Sequence, residues 1–292
     1  MLEAADIQFA YPPAGRRREA SGPSFALDGV TVRVPPRTVV GVLGPNGSGK
    51  TTLLRLMAGA MAPHSGHVRL DGEDVRKIPR RQMARRLAVV PQETALAFDY
   101  SALEIVLMGR YPHLGAFEVE GARDLAAAQA ALEATGTGAL ADRPFRTLSG
   151  GEKQRVIIAS ALAQLDGAAP DKTSLLLLDE PTASLDLHYQ IEVASLLTHL
   201  HGTRDITILI STHDLRLAAD VCTDVVLLSR GRVLGHGRPA EMLTPAAIAS
   251  VFEVREASVR TYLEPRVSRE EPRVLQEEPR VSRPGESRPG EP

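Results

Sequence analysis

The fold is decided by one stretch of the chain, which reads Gly44-Pro45-Asn46-Gly47-Ser48-Gly49-Lys50-Thr51. This phosphate loop matches the pattern G-x-x-x-x-G-K-[ST] in full, follows an apolar run and precedes a helical pattern at residues 50–58. Its glycines let backbone N–H groups turn toward an anion, and the helix adds the positive end of its dipole. The pattern predicts that Lys50 reaches the β and γ phosphates of a nucleotide and that Thr51 binds Mg²⁺. We include the next helical residue, Thr52, in the predicted nucleotide site.

The segments around this loop predict a sheet of parallel strands. Residues 38–43 form a short, continuous apolar run, which suits a strand buried on both faces. Similar runs recur at 174–178, 206–210 and 225–228, with helical patterns between them at 150–164, 187–200 and 214–221. Strands that alternate with helices indicate an α/β fold. Further strands are predicted at 6–10 and 29–34, and further helices at 103–108 and 123–133.

One of these apolar strands ends in two acids, Asp179 and Glu180. Because parallel strands deliver their carboxyl ends to the ligand-binding edge of the sheet, we expect both acids beside the phosphate loop. Asp179 is predicted to hold the Mg²⁺ shell, and Glu180 to polarise a water for attack on the γ-phosphate. His213 follows another apolar strand and is a candidate γ-phosphate contact, although a lone histidine is as readily structural.

The composition narrows the classes of function. The chain has 34 basic and 36 acidic residues, a net charge of −2, with 4% aromatic residues and no Trp. These values disfavour nucleic acid as a partner. The chain has a single cysteine, Cys222, which excludes an internal disulfide and a Cys-based zinc site. We expect this cysteine to be buried, and the protein to reside in a reducing compartment. No apolar run approaches the roughly 18–20 residues of a membrane span.

Several motifs stand in a fixed order along the chain. They are the phosphate loop, Pro91-Gln92, Leu148-Ser149-Gly150-Gly151-Glu152-Lys153-Gln154-Arg155, the acidic strand end, and Ser211-Thr212-His213. The set resembles the nucleotide-binding subunit of an ATP-binding-cassette (ABC) transporter, whose signature motif is Leu-Ser-Gly-Gly. The resemblance implies ATP hydrolysis, with ATP and Mg²⁺ bound. It also implies an α/β fold: a phosphate-loop NTPase core with a mostly parallel sheet, an N-terminal antiparallel β part and a small helical subdomain.

The resemblance also implies roles for residues outside the phosphate loop. Tyr11 matches the aromatic residue that stacks on adenine. Gln92 matches a glutamine that contacts Mg²⁺ or water and senses the membrane partner. His213 matches the switch histidine, and residues 184–186 match a loop at the dimer seam.

The signature is expected to bind nucleotide across an interface. Ser149 is a good N-cap for the helix that Gly150 and Gly151 open, and a helix N-terminus offers free N–H groups to an anion. One phosphate loop already surrounds the phosphates from its own side, so a second anion-binding helix end makes most sense in a partner. The family resemblance implies a head-to-tail dimer of two copies, closed by ATP and reopened by hydrolysis.

A further resemblance concerns the cargo. Residues 103–115 and the added stretch 166–173 are similar to ATPases of importers for iron–siderophore, heme and vitamin B12. That subfamily implies an integral-membrane permease as partner, a substrate-binding protein as an indirect partner, and a peripheral location on the cytoplasmic face of the membrane. The sequence carries the identity of the cargo only by association.

Two alternatives stay open: an ABC ATPase of another transporter class, and a soluble ABC ATPase without a transport role. Soluble members of the DNA-repair type place long heptad-bearing coiled coils between phosphate loop and signature. Here the interval from Lys50 to Ser149 is too short for that and shows no heptads. This comparison favours the transporter subunit.

The chain is predicted to divide at residue 263. Residues 1–263 form the ABC ATPase domain, with the helical subdomain at about 93–165. Residues 264–292 contain three near-copies of a seven-residue unit, each of which begins with Glu-Pro-Arg-Val. Each copy carries a proline and a single regular apolar position, which excludes a coiled coil and predicts a disordered tail.

Overall fold

A computed structural model describes residues 1–12, 26–93, 98–167 and 172–263. The strands in these residues are β1 (Leu2–Phe9), β2 (Leu27–Val34), β3 (Val39–Leu43), β4 (Ser65–Leu70), β5 (Glu73–Asp74), β6 (Leu87–Val90), β7 (Leu175–Asp179), β8 (Thr207–Thr212), β9 (Asp224–Ser229) and β10 (Arg232–Gly237). The α-helices are α1 (Lys50–Met57), α2 (Arg80–Ala84), α3 (Ala102–Met108), α4 (Ala122–Ala134), α5 (Gly150–Leu165), α6 (Leu187–Thr203), α7 (Leu215–Val221), α8 (Pro239–Met242), α9 (Pro245–Phe252) and α10 (Glu256–Leu263).

The strands form two sheets. Six strands in the order β10-β9-β3-β8-β7-β6 make the larger one, in which every pair is parallel except the edge pair of β10 and β9. The smaller sheet has the order β2-β1-β4-β5 and is antiparallel throughout. The predicted α/β fold, with a mostly parallel sheet and an N-terminal antiparallel part, is therefore confirmed.

The larger sheet lies between two apolar cores, which explains its continuous apolar runs. On β7, Leu176 and Leu178 join a core with the helices α3 to α7, whereas Leu175 and Leu177 join a core with α1 and the smaller sheet. All four side chains are fully buried. A strand that is covered on both faces has no solvent-exposed face, so apolar and polar residues do not alternate along its sequence.

Helices α3, α4 and α5 pack on one another and fall within the predicted helical subdomain at about 93–165. Two of them begin with a capping box, at Ser101 for α3 and at Ser149 for α5. None of the described helices combines the length and the apolar character that a membrane crossing requires.

The predicted elements are present with shifted ends. The strand predicted at 6–10 is β1 and begins at Leu2, and the helix predicted at 187–200 is α6 and continues to Thr203. Strands β4, β5, β6 and β10 were not predicted. The tail at 264–292 lies outside the described residues.

Candidate nucleotide-binding site

The phosphate loop connects the end of β3 to the start of α1, at the carboxyl edge of the parallel sheet. Its entry, Gly44, passes so close to β9 that a Cβ atom there would lie 2.0 Å from the Leu228 carbonyl oxygen. Its exit, Gly49, has a φ of 106°, a left-handed conformation that glycine adopts without strain. The loop therefore takes this path because glycine occupies both ends.

Lys50 connects the phosphate loop to the acidic strand end. Its side chain is only 4% exposed, and its Nζ donates to the carbonyl oxygens of Gly44 at 2.9 Å and Pro45 at 3.1 Å. The same nitrogen lies 3.0 Å from Glu180 Oε1. A buried cation requires partners of this kind, and here they fix the ammonium group inside the curve of the loop.

Glu180 lies between Lys50 and His213 and has an unusual backbone conformation. Its φ of 48° is left-handed, which costs a non-glycine residue on the order of 1–3 kcal/mol. Its second carboxylate oxygen, Oε2, lies 3.0 Å from Nδ1 of His213. The structure thus brings together the predicted catalytic acid and the predicted switch histidine, and the histidine is the more exposed of the two.

Asp179 faces the first turn of α1. It is buried, and its Oδ1 accepts a hydrogen bond from the Thr51 hydroxyl at 3.0 Å. The same oxygen accepts a hydrogen bond from the Ser211 hydroxyl on the neighbouring strand β8. The two residues predicted to hold Mg²⁺ from the loop and from the strand are therefore in direct contact.

Tyr11 contacts the first turn of α1. Its hydroxyl is 3.0 Å from the hydroxyl of Thr52, and its ring packs edge-on against Phe9 at a centroid distance of 5.0 Å. Half of the tyrosine is exposed to solvent. Thr52 is therefore in contact with Tyr11, the residue predicted to stack on adenine. The stacking itself stays a prediction.

The signature residues Ser149, Gly150 and Gly151 contact α5, α6 and the loop between β7 and α6, rather than the phosphate loop. Ser149 caps α5, and its N–H donates to the Glu152 carboxylate at 2.7 Å, a hydrogen bond that lowers the pKa of Glu152. Gly150 faces Leu185, and a Cβ on Gly151 would lie 2.0 Å from the Tyr189 ring. The signature is therefore seated on the loop at 184–186 and on α6.

Gln92 follows β6 and is exposed. Within the described ranges it has no hydrogen bond to the phosphate loop or to the acids. Its predicted contact with Mg²⁺ or water stays a prediction.

The donor set fits a nucleotide with Mg²⁺. The buried hydroxyl of Ser48, inside the phosphate loop, has no hydrogen-bond partner in the part of the chain that the structure describes. Buried polar groups are rarely left without a partner, so this hydroxyl is suited to a phosphate oxygen. Thr51 and Asp179 supply the oxygen ligands that Mg²⁺ prefers.

Ser211, whose hydroxyl contacts the Asp179 carboxylate and the Glu180 N–H, was not predicted from the sequence, because the motif at 211–213 indicates His213 alone. Tyr189, whose ring packs against Gly151, was not predicted either. A pair of glycines at the start of a helix indicates close packing, but the sequence does not show which residue packs against them.

These features define the class of the protein: a phosphate-loop nucleoside triphosphatase whose acids and lysine meet at the edge of a parallel sheet. The model of the family described as "ABC transporter" matches residues 27–183. The chain therefore belongs to the ABC transporter family, and the predicted ABC ATPase is confirmed at that level.

Relatives with curated names are import ATP-binding proteins. The hemin import ATP-binding protein HmuV of Myxococcus xanthus is 44% identical over 237 residues, which cover 80% of this chain and 86% of that protein. The ferric enterobactin transport ATP-binding protein FepC of Escherichia coli K12 is 36% identical, with coverage of 80% and 84%. The cobalamin import ATP-binding protein BtuD of Halobacterium salinarum is 42% identical, but the chain spans only 56% of its length. The predicted resemblance to heme, siderophore and vitamin B12 importer ATPases is thus confirmed.

Solved structures agree with this family. A structure described as an inward-facing, metal-chelate-type ABC transporter is 30% identical to the chain, with a TM-score of 0.71 and coverage of 86% and 88%. A dimeric bacterial ABC transporter cassette is 24% identical, has a TM-score of 0.68 and supports the fold.

Proposed function

We propose that the chain hydrolyses ATP as the energy-coupling subunit of an importer for a metal chelate, namely heme, an iron–siderophore or cobalamin. The ATPase part of this proposal is carried by the contact series Lys50–Glu180–His213 beside the contact of Thr51 with Asp179. The importer part is supported by the relatives named as import ATP-binding proteins. The residues of the contact series come from three separate segments, and the fold gathers them at one edge of the sheet. Such a cluster has the parts that phosphoryl transfer requires.

The residues of the site have separable tasks. Lys50 neutralises the β and γ phosphates, and the N–H groups of the loop surround them. Mg²⁺, held by Thr51 and Asp179, supplies charge neutralisation at the phosphate oxygens. Glu180 accepts a proton from the attacking water, and His213, at 3.0 Å from its carboxylate, orients that carboxylate.

The pair formed by Lys50 and Glu180 must separate in the reactive state. The Lys50 ammonium lies 3.0 Å from Glu180 Oε1 and takes the place of a water at that oxygen. When Lys50 turns toward phosphate oxygens, Glu180 is released toward water. Nucleotide binding is thereby linked to activation of the general base.

The active unit is a head-to-tail dimer of two copies. Gly150 at the start of α5 is exposed, while Gly151 and Leu185 fix the position of that helix end against α6 and the loop at 184–186. An exposed, rigidly held helix N-terminus suits the phosphate groups of a nucleotide bound to the partner copy. The dimeric form of similar cassettes is consistent with this arrangement.

The direct membrane partner is a permease, which binds the helical subdomain from the cytoplasmic side. That part of the chain exposes several large apolar side chains: Phe98, Tyr111, Phe117 and Val119. Exposed apolar residues grouped on one subdomain are typical of a protein–protein interface. A substrate-binding protein acts on the permease from the other side and contacts this chain only indirectly.

The test is reconstitution of the chain with its permease in vesicles, with ATP on the side of the cassette. Heme, a ferric siderophore and cobalamin are offered in turn, and uptake is measured with and without ATP. We expect one class to be imported only with ATP. ATP hydrolysis that is unaffected by every permease tested would instead indicate a soluble ABC ATPase, and import of an unrelated cargo would indicate another transporter class.

A further inference from the structure

The hydroxyl of Ser211 lies between the two acids of the site. Ser211 is on β8, which pairs with β7 in parallel so that Ser211 is directly opposite Asp179. The residue is completely buried. Its hydroxyl therefore makes its hydrogen bonds to protein groups, and both of its partners belong to the acid pair.

The first partner is the Asp179 carboxylate. The Ser211 hydroxyl donates to Oδ1, the same oxygen that accepts from Thr51 at 3.0 Å. Two hydroxyl groups on one carboxylate oxygen fix the rotation of the carboxylate. The other oxygen, Oδ2, has no hydrogen bond within the described ranges and is therefore available to a cation.

The second partner is the backbone of Glu180. Because the Ser211 hydroxyl proton is donated to Asp179, its oxygen Oγ acts as an acceptor for the Glu180 N–H, at 3.1 Å. The Ser211 carbonyl oxygen lies 3.0 Å from the same N–H. Both acceptors of one residue thus hold the N–H of Glu180, whose left-handed φ of 48° needs such support.

We infer that Ser211 is a positioning residue that sets the Mg²⁺ ligand and the general base together through its single hydroxyl. The inference rests on the proposed ATPase function and adds a residue to it. Removal of the hydroxyl frees the rotation of Asp179 and weakens the hold on Glu180. The effect should therefore appear in the response to Mg²⁺ and in kcat, with nucleotide binding in the absence of metal preserved.

The chain offers a closely matched control on the same strand. Thr207, at the opposite end of β8, is 1% exposed, and its hydroxyl accepts from the N–H of Arg37 at 2.9 Å. Arg37 also has a left-handed φ, of 57°. Thr207→Val removes a buried hydroxyl that supports a left-handed residue, but it does so far from the acids.

The experiment uses the full chain and the variants Ser211→Ala, Ser211→Thr and Thr207→Val. Affinity for a fluorescent ATP analogue is measured in EDTA and across a Mg²⁺ titration, and hydrolysis is measured in parallel. For Ser211→Ala we expect the half-saturating Mg²⁺ concentration to rise by about tenfold or more and kcat to fall similarly, the range found for groups that orient metal ligands. Affinity in EDTA should stay within about twofold, because the phosphate loop is unchanged. Ser211→Thr, which keeps the hydroxyl, should recover most of the Mg²⁺ response.

The inference is overturned if Ser211→Ala responds to Mg²⁺ like the unmodified chain, if Thr207→Val shifts the response equally, or if Ser211→Thr is as impaired as Ser211→Ala. Melting curves identify a variant that does not fold, and Ser211→Cys, with its weak thiol donor, then replaces Ser211→Ala. The binding arm does not depend on hydrolysis. A chain that binds Mg²⁺ and nucleotide without hydrolysing it would refute the proposed function and still test Ser211.

Discussion

Replacement of Glu180 by Gln tests the assignment of the general base. The amide keeps the shape of the side chain and its hydrogen-bonding capacity, but it cannot accept a proton at neutral pH. Loss of general-base help slows hydrolysis by about 10²–10⁴-fold, which corresponds to roughly 3–5 kcal/mol in the barrier. ATP affinity should be maintained or improved, because Lys50 no longer pairs with a carboxylate at 3.0 Å and is free for phosphate.

The assay is single-turnover hydrolysis of radiolabelled ATP together with equilibrium nucleotide binding. Glu3→Gln is the matched control, since the Glu3 carboxylate also forms an ion pair, with Arg33 at 2.8 Å, but lies on β1 in the smaller sheet. We expect the control to hydrolyse ATP at close to the normal rate. A fall of less than about tenfold for Glu180→Gln would refute its role as the general base.

Three further predictions concern separate parts of the chain. Lys50→Ala should weaken ATP binding by about 10- to 150-fold in a fluorescence titration, because it removes one charge-assisted hydrogen bond worth about 1.5–3 kcal/mol. Lys77→Ala, at an exposed lysine, should leave ATP affinity unchanged. Equal affinities of the two variants would contradict the phosphate-loop assignment. Burial raises the pKa of Cys222 to about 12, so iodoacetamide should leave its thiol unmodified at pH 8 until the chain unfolds, and rapid labelling of folded protein would contradict this burial. Deletion of residues 264–292 should change ATPase activity by less than about twofold and the Tm by only a few degrees, because this segment has little apolar surface to bury; a larger drop in Tm would show that it packs on the domain.

The sequence predicted the parts of the site that are encoded by consecutive residues. Residues 44–51 carry the whole phosphate loop, since its turn depends on glycines and its cation on the lysine that follows them. Asp179 and Glu180 were predicted for a similar reason: an apolar strand that ends in acids has a known direction in a parallel sheet. Their mutual contacts with Lys50 and Thr51 then follow from the topology.

What could not be predicted depends on contacts between distant segments. β6 is a four-residue strand at the edge of the sheet, and it is a strand only because β7 pairs with it. β10 is half-exposed and contains two glycines, so its composition resembles a loop. The task of Ser211 depends on the register of β8 with β7, which places its hydroxyl opposite Asp179 and which no local pattern encodes.

The composite site of two chains is tested most directly by Ser149→Arg in the Glu180→Gln background. With ATP, the Glu180→Gln chain should migrate as a dimer in gel filtration. Ser149→Arg should abolish that dimer and leave ATP affinity of the monomer within about threefold, because Ser149 makes its hydrogen bonds to Glu152 of its own helix rather than to the phosphate loop of its own chain. Ser101→Arg, which removes the same type of capping box from α3, should leave the dimer intact. The account is contradicted if the Glu180→Gln chain stays monomeric with ATP bound, or if Ser149→Arg lowers the affinity of the monomer as strongly as Lys50→Ala does.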